Sequence, residues 1–164
     1  CCRLADGSLA WQQRLTAAGE FRMAAGETDI VVAGEDGSVR SFDAATGAPR
    51  WQRSLTDSAT GLALQGGRLC IALPDRVLVL DAKGGTENLA VAAGESGWSG
   101  APLLLGKRLL VPRKDASVAA IDHADGSMLF QLRGSKRVTG LTALASGVVV
   151  GFGDRKLAYY RRLP

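Results

Sequence analysis

Short apolar runs alternate with turns rich in Gly, Asp and Ser along the chain, and no window keeps a helical period with a cap at each end. The stretch from residue 20 to residue 55 shows the pattern most clearly, because an almost wholly apolar run is followed by mixed runs across tight turns. It predicts four strands, labelled a to d, at 20–25, 29–34, 38–43 and 48–55. The predicted unit is a four-stranded antiparallel meander.

The meander recurs at a nearly constant spacing. Turn glycines stand 40, 38 and 41 residues apart, at Gly7, Gly47, Gly85 and Gly126. A large apolar residue follows each glycine by four positions, at Trp11, Trp51, Leu89 and Phe130. An aspartate precedes the last three glycines by four positions, at Asp43, Asp81 and Asp122, and Arg3 stands there in the first copy. Further aspartates, 39, 40 and 39 residues apart, follow the apolar runs at Asp36, Asp75, Asp115 and Asp154. Registers that agree on one period are hard to explain by chance.

A repeated meander of this length predicts a β-propeller, because four-stranded units of roughly 40 residues pack face to face around an axis as blades. We therefore predict an all-β fold in which this chain supplies about four antiparallel blades. The repeat units are 1–15, 16–55, 56–94, 95–133 and 134–164. A β-sandwich or one large twisted sheet is the alternative, but neither explains the fixed period.

Composition and charge argue against only a few classes of function. The 164 residues carry 20 basic and 16 acidic side chains, and the net charge of +4 is spread along the sequence, so we expect no nucleic-acid binding. No run approaches the ~20 apolar residues of a membrane helix, and no signal peptide is recognisable. Three cysteines are an odd count, which argues against a disulfide framework. The single histidine, His123, excludes a multi-histidine metal site.

The segment Asp43–Trp51, with the sequence DAATGAPRW, resembles the tryptophan-docking repeat of quinoprotein-type propellers, the pyrroloquinoline quinone (PQQ)-like family. Gly34–Val39 is similar to the b–c turn of that family, and the likeness is weaker where Leu89 replaces Trp and Arg161 replaces Asp. The resemblance implies that the motif Trp packs against the next blade and that the Asp holds the c–d corner. The docking residues implied in this way are Asp43, Gly47, Trp51, Trp11, Asp81, Asp122, Gly126 and Phe130.

The resemblance also bears on the size of the ring, because propellers of this family commonly have about eight blades. We therefore expect further blades or a second copy of the chain to complete the propeller. Open blade faces and unpaired strand edges would otherwise expose apolar surface.

The candidate functional face is the end of the blades that carries the b–c turns and the d–a connections. Strand direction alternates in a meander, so both sets of loops lie at the same end, and binding residues favour loops on a rigid scaffold. The candidate residues are Asp36, Asp75, Trp98, Lys114, Asp115, Asp154 and Arg155. Alternatively, the aspartates serve turn geometry alone. Trp98 either stacks on a ligand or partner or plugs the gap between blades.

The three cysteines and the single histidine are the remaining residues that could carry chemistry. Adjacent Cys1 and Cys2 resemble the vicinal disulfide of quinoprotein alcohol dehydrogenases, but the surrounding catalytic residues of those enzymes are not found, and two thiols or a lipid-modified Cys1 are alternatives. Cys70 is predicted to be a small core residue. His123, in a c–d turn, is predicted to be exposed. We predict no catalytic residue, no metal site and no bound cofactor.

The predicted function is therefore a non-catalytic propeller that presents its b–c and d–a loops to a protein partner. One alternative is a fragment of a PQQ-dependent dehydrogenase, which would require a Ca²⁺ site and an Asp base. Another is the sensor propeller of a larger bacterial signalling protein. The compartment stays open between periplasmic or extracytoplasmic and cytoplasmic, since relatives of this fold are often periplasmic whereas unpaired cysteines suit a reducing environment.

Overall fold

The computed structural model describes residues 1–2, 5–16 and 19–161, and every regular element within them is a β-strand. The strands are β1 (Phe21–Ala25), β2 (Asp29–Gly34), β3 (Ser38–Asp43), β4 (Pro49–Ser54), β5 (Gly61–Gln65), β6 (Arg68–Ala72), β7 (Arg76–Asp81), β8 (Glu87–Ala92), β9 (Leu103–Leu105), β10 (Arg108–Pro112), β11 (Ser117–Asp122), β12 (Met128–Arg133), β13 (Val138–Leu144), β14 (Gly147–Phe152) and β15 (Leu157–Arg161). The predicted strands a to d of the unit 16–55 match β1 to β4 to within one residue at each end.

The strands form four antiparallel sheets, each a meander in chain order. We call them blade 1 (β1–β4), blade 2 (β5–β8), blade 3 (β9–β12) and blade 4 (β13–β15), and blade 4 has three strands within the described residues. The first strands of neighbouring blades contact each other, and all four line one central groove. This arrangement is the predicted β-propeller. Residues 1–15 contribute an isolated bridge between Cys2 and Leu9, and Arg3 lies outside the described residues.

The hydrophobic core consists of three layers, one between each pair of adjacent blades. Val31 and Val39 of blade 1 face Leu69, Ile71 and Leu80 of blade 2. A second layer joins blades 2 and 3, and a third joins blades 3 and 4. The middle strands are buried on both faces and are almost wholly apolar, as expected for inner strands covered by neighbours. The fourth strands lie at the sheet edges and are half-exposed. β4 is rich in polar and charged side chains, which discourages edge pairing, whereas β8 is mostly apolar beyond Glu87 and Asn88.

The c–d corners of blades 1, 2 and 3 are braced by their motif aspartates, as the resemblance implied. Oδ1 of Asp43 accepts the backbone N–H groups of Ala45 (3.0 Å) and Thr46 (2.9 Å), and Oδ2 accepts Nη2 of Arg50 (2.7 Å). The Arg50 hydrogen bond, followed by those from Thr46, holds the pKa of Asp43 well below its ordinary value. Arg50 also pairs with the buried Asp29, so one guanidinium ties strand d to both strand b and the corner.

The other two corners use the same brace more lightly. Oδ2 of Asp81 accepts the backbone N–H of Gly84 (2.6 Å), and Oδ1 of Asp122 accepts that of Ala124 (2.8 Å).

The docking tryptophans reach from one blade to the next. Nε1 of Trp11 donates to the carbonyl of Ala44 (3.0 Å), and Nε1 of Trp51 donates to the carbonyl of Ala82 (2.7 Å). The turn residue beneath must be glycine, because Gly47 has a φ of +72° and an added Cβ would lie 2.5 Å from the Trp11 ring. Leu89 occupies the same position over Gly126 without a polar link, and Phe130 packs against the third core layer.

The prediction that His123 is an exposed turn residue is wrong. His123 is 7% exposed, and its Nε2 lies 3.1 Å from the carbonyl oxygen of Gly106. Its backbone N–H donates to the carbonyl of Lys107 (3.1 Å). The a–b turn of the same blade therefore covers the c–d turn, a contact that the sequence positions do not display. Cys70 is fully buried, which confirms its predicted place in the core.

Candidate functional site

The b–c turns and the d–a connections meet at one end of the blades, as strand parity predicts. The N–H of Leu55, after strand d of blade 1, donates to the carbonyl of Gly37 in the b–c turn (2.8 Å). Gly134 likewise donates to the carbonyl of Ala116 (3.0 Å), and Gly153 donates to that of Arg137 (2.9 Å). These bonds join loops of the same and of neighbouring blades, so we call this end the loop end.

The turn aspartates hold the loops at this end in place. Oδ1 of Asp36 accepts both the N–H (3.0 Å) and the hydroxyl (2.6 Å) of Ser38, and Asp115 receives the same pair of bonds from Ser117. Oδ2 of Asp115 also accepts the Ser96 hydroxyl from the d–a connection (2.9 Å). Of the four turn aspartates, Asp115 and Asp154 bond to a d–a connection as well as to a residue of their own turn. These contacts give the aspartates a structural role in holding the loops.

Blade 4 repeats this link with its own serine. Oδ2 of Asp154 accepts the Ser135 hydroxyl (3.1 Å) and pairs with Nζ of Lys156 (3.1 Å). Asp75 differs, since it is exposed and pairs with the neighbouring Arg76 (2.7 Å), which in turn reaches Thr56.

Hydrogen bonding lowers the pKa of three of these carboxyls. The Ser38 bonds lower the pKa of Asp36, and bonds from Lys156 and Ser135 lower that of Asp154. Partial burial opposes ionisation of Asp115, but the bonds from Ser117 and Ser96 outweigh it and lower its pKa. These carboxylates therefore stay ionised to a lower pH than an unperturbed aspartate would.

One turn position has a left-handed backbone in three blades. Gly37 has a φ of +76° there, whereas Ala116 (φ 67°) and Arg155 (φ 66°) are the only non-glycine residues with positive φ among the described residues. The left-handed region costs an L-residue roughly 1–2 kcal/mol. Arg155 is exposed and thus carries its guanidinium on a strained turn.

Trp98 lies at the loop end but does not present its ring to solvent. The residue is 1% exposed and belongs to the core layer between blades 2 and 3, next to Val77 and Val111. The guanidinium of Arg113 lies over the indole ring, 5.6 Å from its centroid. The backbone N–H of Trp98 donates to the carbonyl of Pro74 (3.2 Å). The structure thus places Trp98 as the plug between blades, because the b–c turns on both sides close over it.

The remaining predicted site residues stay at the surface. Lys114 is exposed, and its backbone N–H donates to the carbonyl of Gly97 (3.3 Å) in the connection that carries Trp98. Asp36, Asp75 and Arg155 are exposed as well. The fold therefore brings the predicted residues to one end, although Trp98 contributes to its rigidity and not to its surface.

The described residues do not fit a PQQ–Ca²⁺ site. No group of three or more His, Cys, Asp or Glu side chains within these parts of the chain is placed to hold a metal ion. Cys1 and Cys2 are exposed free thiols at the N-terminal bridge. The central groove is lined by aliphatic residues such as Met23, Leu64 and Leu104, and among its described lining residues Gln65 alone has a polar side chain, so it offers no charged donor for a carboxylated quinone. No helix in the described ranges is long and apolar enough to cross a membrane.

The match to a model of a known protein family shows the family to which this chain belongs. A family model described as outer membrane protein assembly factor BamB matches residues 1–58 and 35–163. The chain belongs to this family. The predicted membership among PQQ-like propellers is thereby confirmed. No curated protein sequence matches the chain significantly.

Solved structures with the same fold include natural and designed propellers. The crystal structure of BamB from Moraxella catarrhalis has a TM-score of 0.78 at 20% identity, over 94% of this chain and 53% of that one. The computationally designed Ika4 protein has a TM-score of 0.78 at 18% identity, over 91% and 94% of the two chains. The designed Ika8 protein has a TM-score of 0.74 at 18% identity, over 86% and 45%. The chain spans about half the length of the BamB structure that it matches.

Proposed function

We propose that this chain is part of a protein-interaction propeller that acts in outer membrane protein assembly and binds its protein partner through the loop end. The observation that carries the proposal is the loop end itself, where b–c turns and d–a connections are tied together by backbone and serine–aspartate bonds. Such bonds give a rigid surface whose exposed side chains need little ordering when a partner binds. Membership of the BamB family supports the cellular process.

Site-specific photo-crosslinking tests the proposed face. A photoreactive amino acid is placed at Glu35, Lys114 or Arg155 on the loop end, and at Lys83 or Lys107 on the opposite end. All five side chains are exposed, so the substitutions should not disturb folding. We expect a component of the outer membrane assembly machinery to be captured from the loop end alone. Capture from the opposite end alone, or equally from both, would contradict the proposal.

We further propose that additional blades or a second copy of the chain complete the ring. Exposed apolar side chains support this, since Met23 is 70% exposed, Leu157 78% and Tyr159 45%. On blade 1 an apolar groove lies open between Trp11 and Phe42. Light scattering after size-exclusion chromatography tests completion of the ring by a second copy. The isolated chain should then associate with itself. A stable monomer at micromolar concentration would count against completion by a second copy.

A further inference from the structure

Charge is unevenly distributed across the loop end. The loops of blades 1 and 2 carry five acidic side chains: Glu20, Glu35, Asp36, Asp57 and Asp75. Three arginines of the adjoining strands reach these loops, since Arg22 donates to the carbonyl of Ala59, Arg40 to the hydroxyl of Thr16 and Arg76 to that of Thr56. The loops of blades 3 and 4 carry six basic side chains and three acidic ones: Arg113, Lys114, Lys136, Arg137, Arg155 and Lys156, with Glu95, Asp115 and Asp154. Acidic side chains thus outnumber basic ones in the half formed by blades 1 and 2, and basic side chains outnumber acidic ones in the half formed by blades 3 and 4.

The basic half is a continuous surface. Gly134 bonds to the carbonyl of Ala116, which places the connection carrying Lys136 and Arg137 against the turn that carries Lys114. Ser135 bonds to Asp154, and Gly153 bonds to the carbonyl of Arg137, which places that connection against the turn of Arg155. We call Lys114, Lys136, Arg137 and Arg155 the basic loop surface.

The four cations of the basic loop surface are available to a partner. Each is exposed, and none forms an ion pair with another described residue. The nearby carboxylates of Asp115 and Asp154 are occupied by Ser96, Ser117, Ser135 and Lys156. Asp115 and Asp154 stay ionised, and with Glu95 they offset three of the six positive charges in these loops, which leaves a net charge of +3.

Arg155 adds an independent observation. It holds the left-handed turn position where blade 1 has Gly37, with a φ of 66°. Glycine would adopt this backbone without strain, so the guanidinium is kept at a cost in stability. Residues held in sparsely populated backbone regions cluster at functional sites.

We propose that the basic loop surface binds an acidic segment of the partner protein. This inference rests on the proposed function and specifies the charge of the partner at that face. The adjacent acidic half favours a protein over a nucleic acid or an anionic membrane, because a continuous polyanion laid across the loop end would meet five carboxylates as well. A protein surface can match both halves by carrying acidic groups over blades 3 and 4 and basic groups over blades 1 and 2.

Fluorescence anisotropy with a defined probe tests the charge assignment. The probe is a fluorescein-labelled peptide of alternating Glu and Ser, at low ionic strength, and a Lys–Ser peptide is its control. Lys136→Glu with Arg137→Glu should weaken binding of the acidic peptide at least ~10-fold, since attraction is replaced by repulsion. The matched variant, Lys83→Glu with Lys107→Glu, makes the same change in net charge at the opposite end and should change binding less than ~2-fold.

Three outcomes would overturn the proposal. The first is unchanged peptide binding after reversal of Lys136 and Arg137. The second is an equal loss in the Lys83 and Lys107 variant, which would indicate unspecific attraction by net charge. The third is tighter binding, through the same two residues, of phosphatidylglycerol vesicles or of double-stranded DNA, which would assign the surface to a membrane or to nucleic acid.

A second pair of variants separates charge from backbone strain. Arg155→Gly removes the cation and relaxes the turn, so Tm should rise by about 2 °C while peptide binding weakens about threefold. Ala116→Gly relaxes the equivalent turn of blade 3 without a change in charge, so Tm should rise similarly while binding stays constant. If both variants bind the peptide as the parent does, Arg155 is not part of the surface.

The two proposals fail in different ways. Capture of a protein from the loop end by photo-crosslinking, together with unchanged capture after reversal of Lys136 and Arg137, removes the charge assignment and leaves the proposed function standing. Capture from the opposite end removes the proposed function, whatever the peptide binds.

Discussion

Blades 1 and 2 are joined by a tryptophan at the c–d end, whereas blades 2 and 3 are joined by a tryptophan at the loop end. In the first junction Trp51 of blade 1 covers Gly85 and donates to the carbonyl of Ala82 (2.7 Å). Nearby, Arg53 reaches across to the carbonyl of Gly85 (2.9 Å). This junction follows the repeat motif and closes with polar contacts around the indole.

In the second junction the motif position holds Leu89, whose methyl groups lie over Gly126 but are smaller than an indole ring. The large ring comes instead from Trp98 at the loop end, buried between the b–c turns of blades 2 and 3 beneath Arg113. Interiors are packed closely, so a smaller side chain at one point of a blade interface must be compensated elsewhere. Comparison of the two junctions indicates that each of these blade interfaces needs the volume of an indole ring. The repeat motif specifies only the usual position of that ring.

Loss of Trp98 should have the largest effect. Trp98→Ala removes a fully buried ring and should lower the free energy of unfolding by about 4 kcal/mol. Urea denaturation followed by fluorescence measures it. Trp98→Phe should lose only about 1 kcal/mol, because most of the volume remains and Nε1 has no hydrogen-bond partner among the described residues.

The thiol of Cys70 reports on the same junction, because it lies in the core layer with Trp98. Burial raises its pKa to about 12, so labelling near pH 8 should be slow, while the exposed Cys1 and Cys2 react quickly. Trp98→Ala should accelerate the labelling of Cys70. Equal rates in the parent and the variant would show that Trp98 does not close this junction.

Loss of Trp51 should have a smaller effect, because its ring is only half-buried. Trp51→Leu makes the first junction resemble the second, and it should cost about 2 kcal/mol from lost ring contacts and from the lost bond to Ala82. Trp51→Phe removes the N–H with little change in packing, so it should cost about 1 kcal/mol. A cost for Trp51→Leu as large as that for Trp98→Ala would overturn the distinction between the junctions.

The corners beneath the docking residues should differ in their response to pH. Asp43, under Trp11, has a lowered pKa because of Arg50 and Thr46, so its ionised form stabilises the folded state. That contribution is complete above the unfolded pKa of about 3.9 and is lost as the pH falls from there towards the folded value. Asp43→Asn should therefore lower Tm at pH 7, and the difference from the parent should shrink below pH 4.

Asp122→Asn is the matched control for this corner effect, since Oδ1 of Asp122 accepts the backbone N–H of Ala124 (2.8 Å) at the corresponding corner under Leu89. Strand d carries Leu129 there, at the position of Arg50 in blade 1. Asp122→Asn should lower Tm less than Asp43→Asn does. A pH-independent difference between the parent and Asp43→Asn would contradict the role of the Arg50 pair.

The sequence predicts local structure well and contacts between repeat units less well. The strands of blade 1 were located to within one residue, since apolar runs and turn residues mark each boundary. The exposure of His123 was mispredicted because its cover, the turn at Gly106 and Lys107, comes from another part of the blade. Trp98 fits no repeat register, so its burial depends on turns that only the folded chain assembles.

Contacts within the candidate functional face were also harder to predict from the sequence than its position. Strand parity located the loop end and the turn aspartates marked it, but the serines that bond them lie 19 residues earlier, at Ser96 and Ser135. The charge of the sequence looks evenly spread because basic residues of the loops are separated by tens of positions. The period of the repeat returns them to one end of neighbouring blades, and only then does the division into acidic and basic halves become visible.

The smallest effect should come from Leu89→Trp, which restores the motif residue at the second junction. If every blade interface needed a docking indole, this variant would stabilise the protein substantially. We expect a change below about 1 kcal/mol in urea denaturation, because Trp98 already supplies a buried ring at this junction, and an added ring over Gly126 must displace the packed side chains of the interface. In the Trp98→Ala background, Leu89→Trp should recover almost nothing, since the new ring lies at the c–d end and the cavity at the loop end. Recovery of most of the lost stability would show that the ring can act from either end, and that its position along the interface is free.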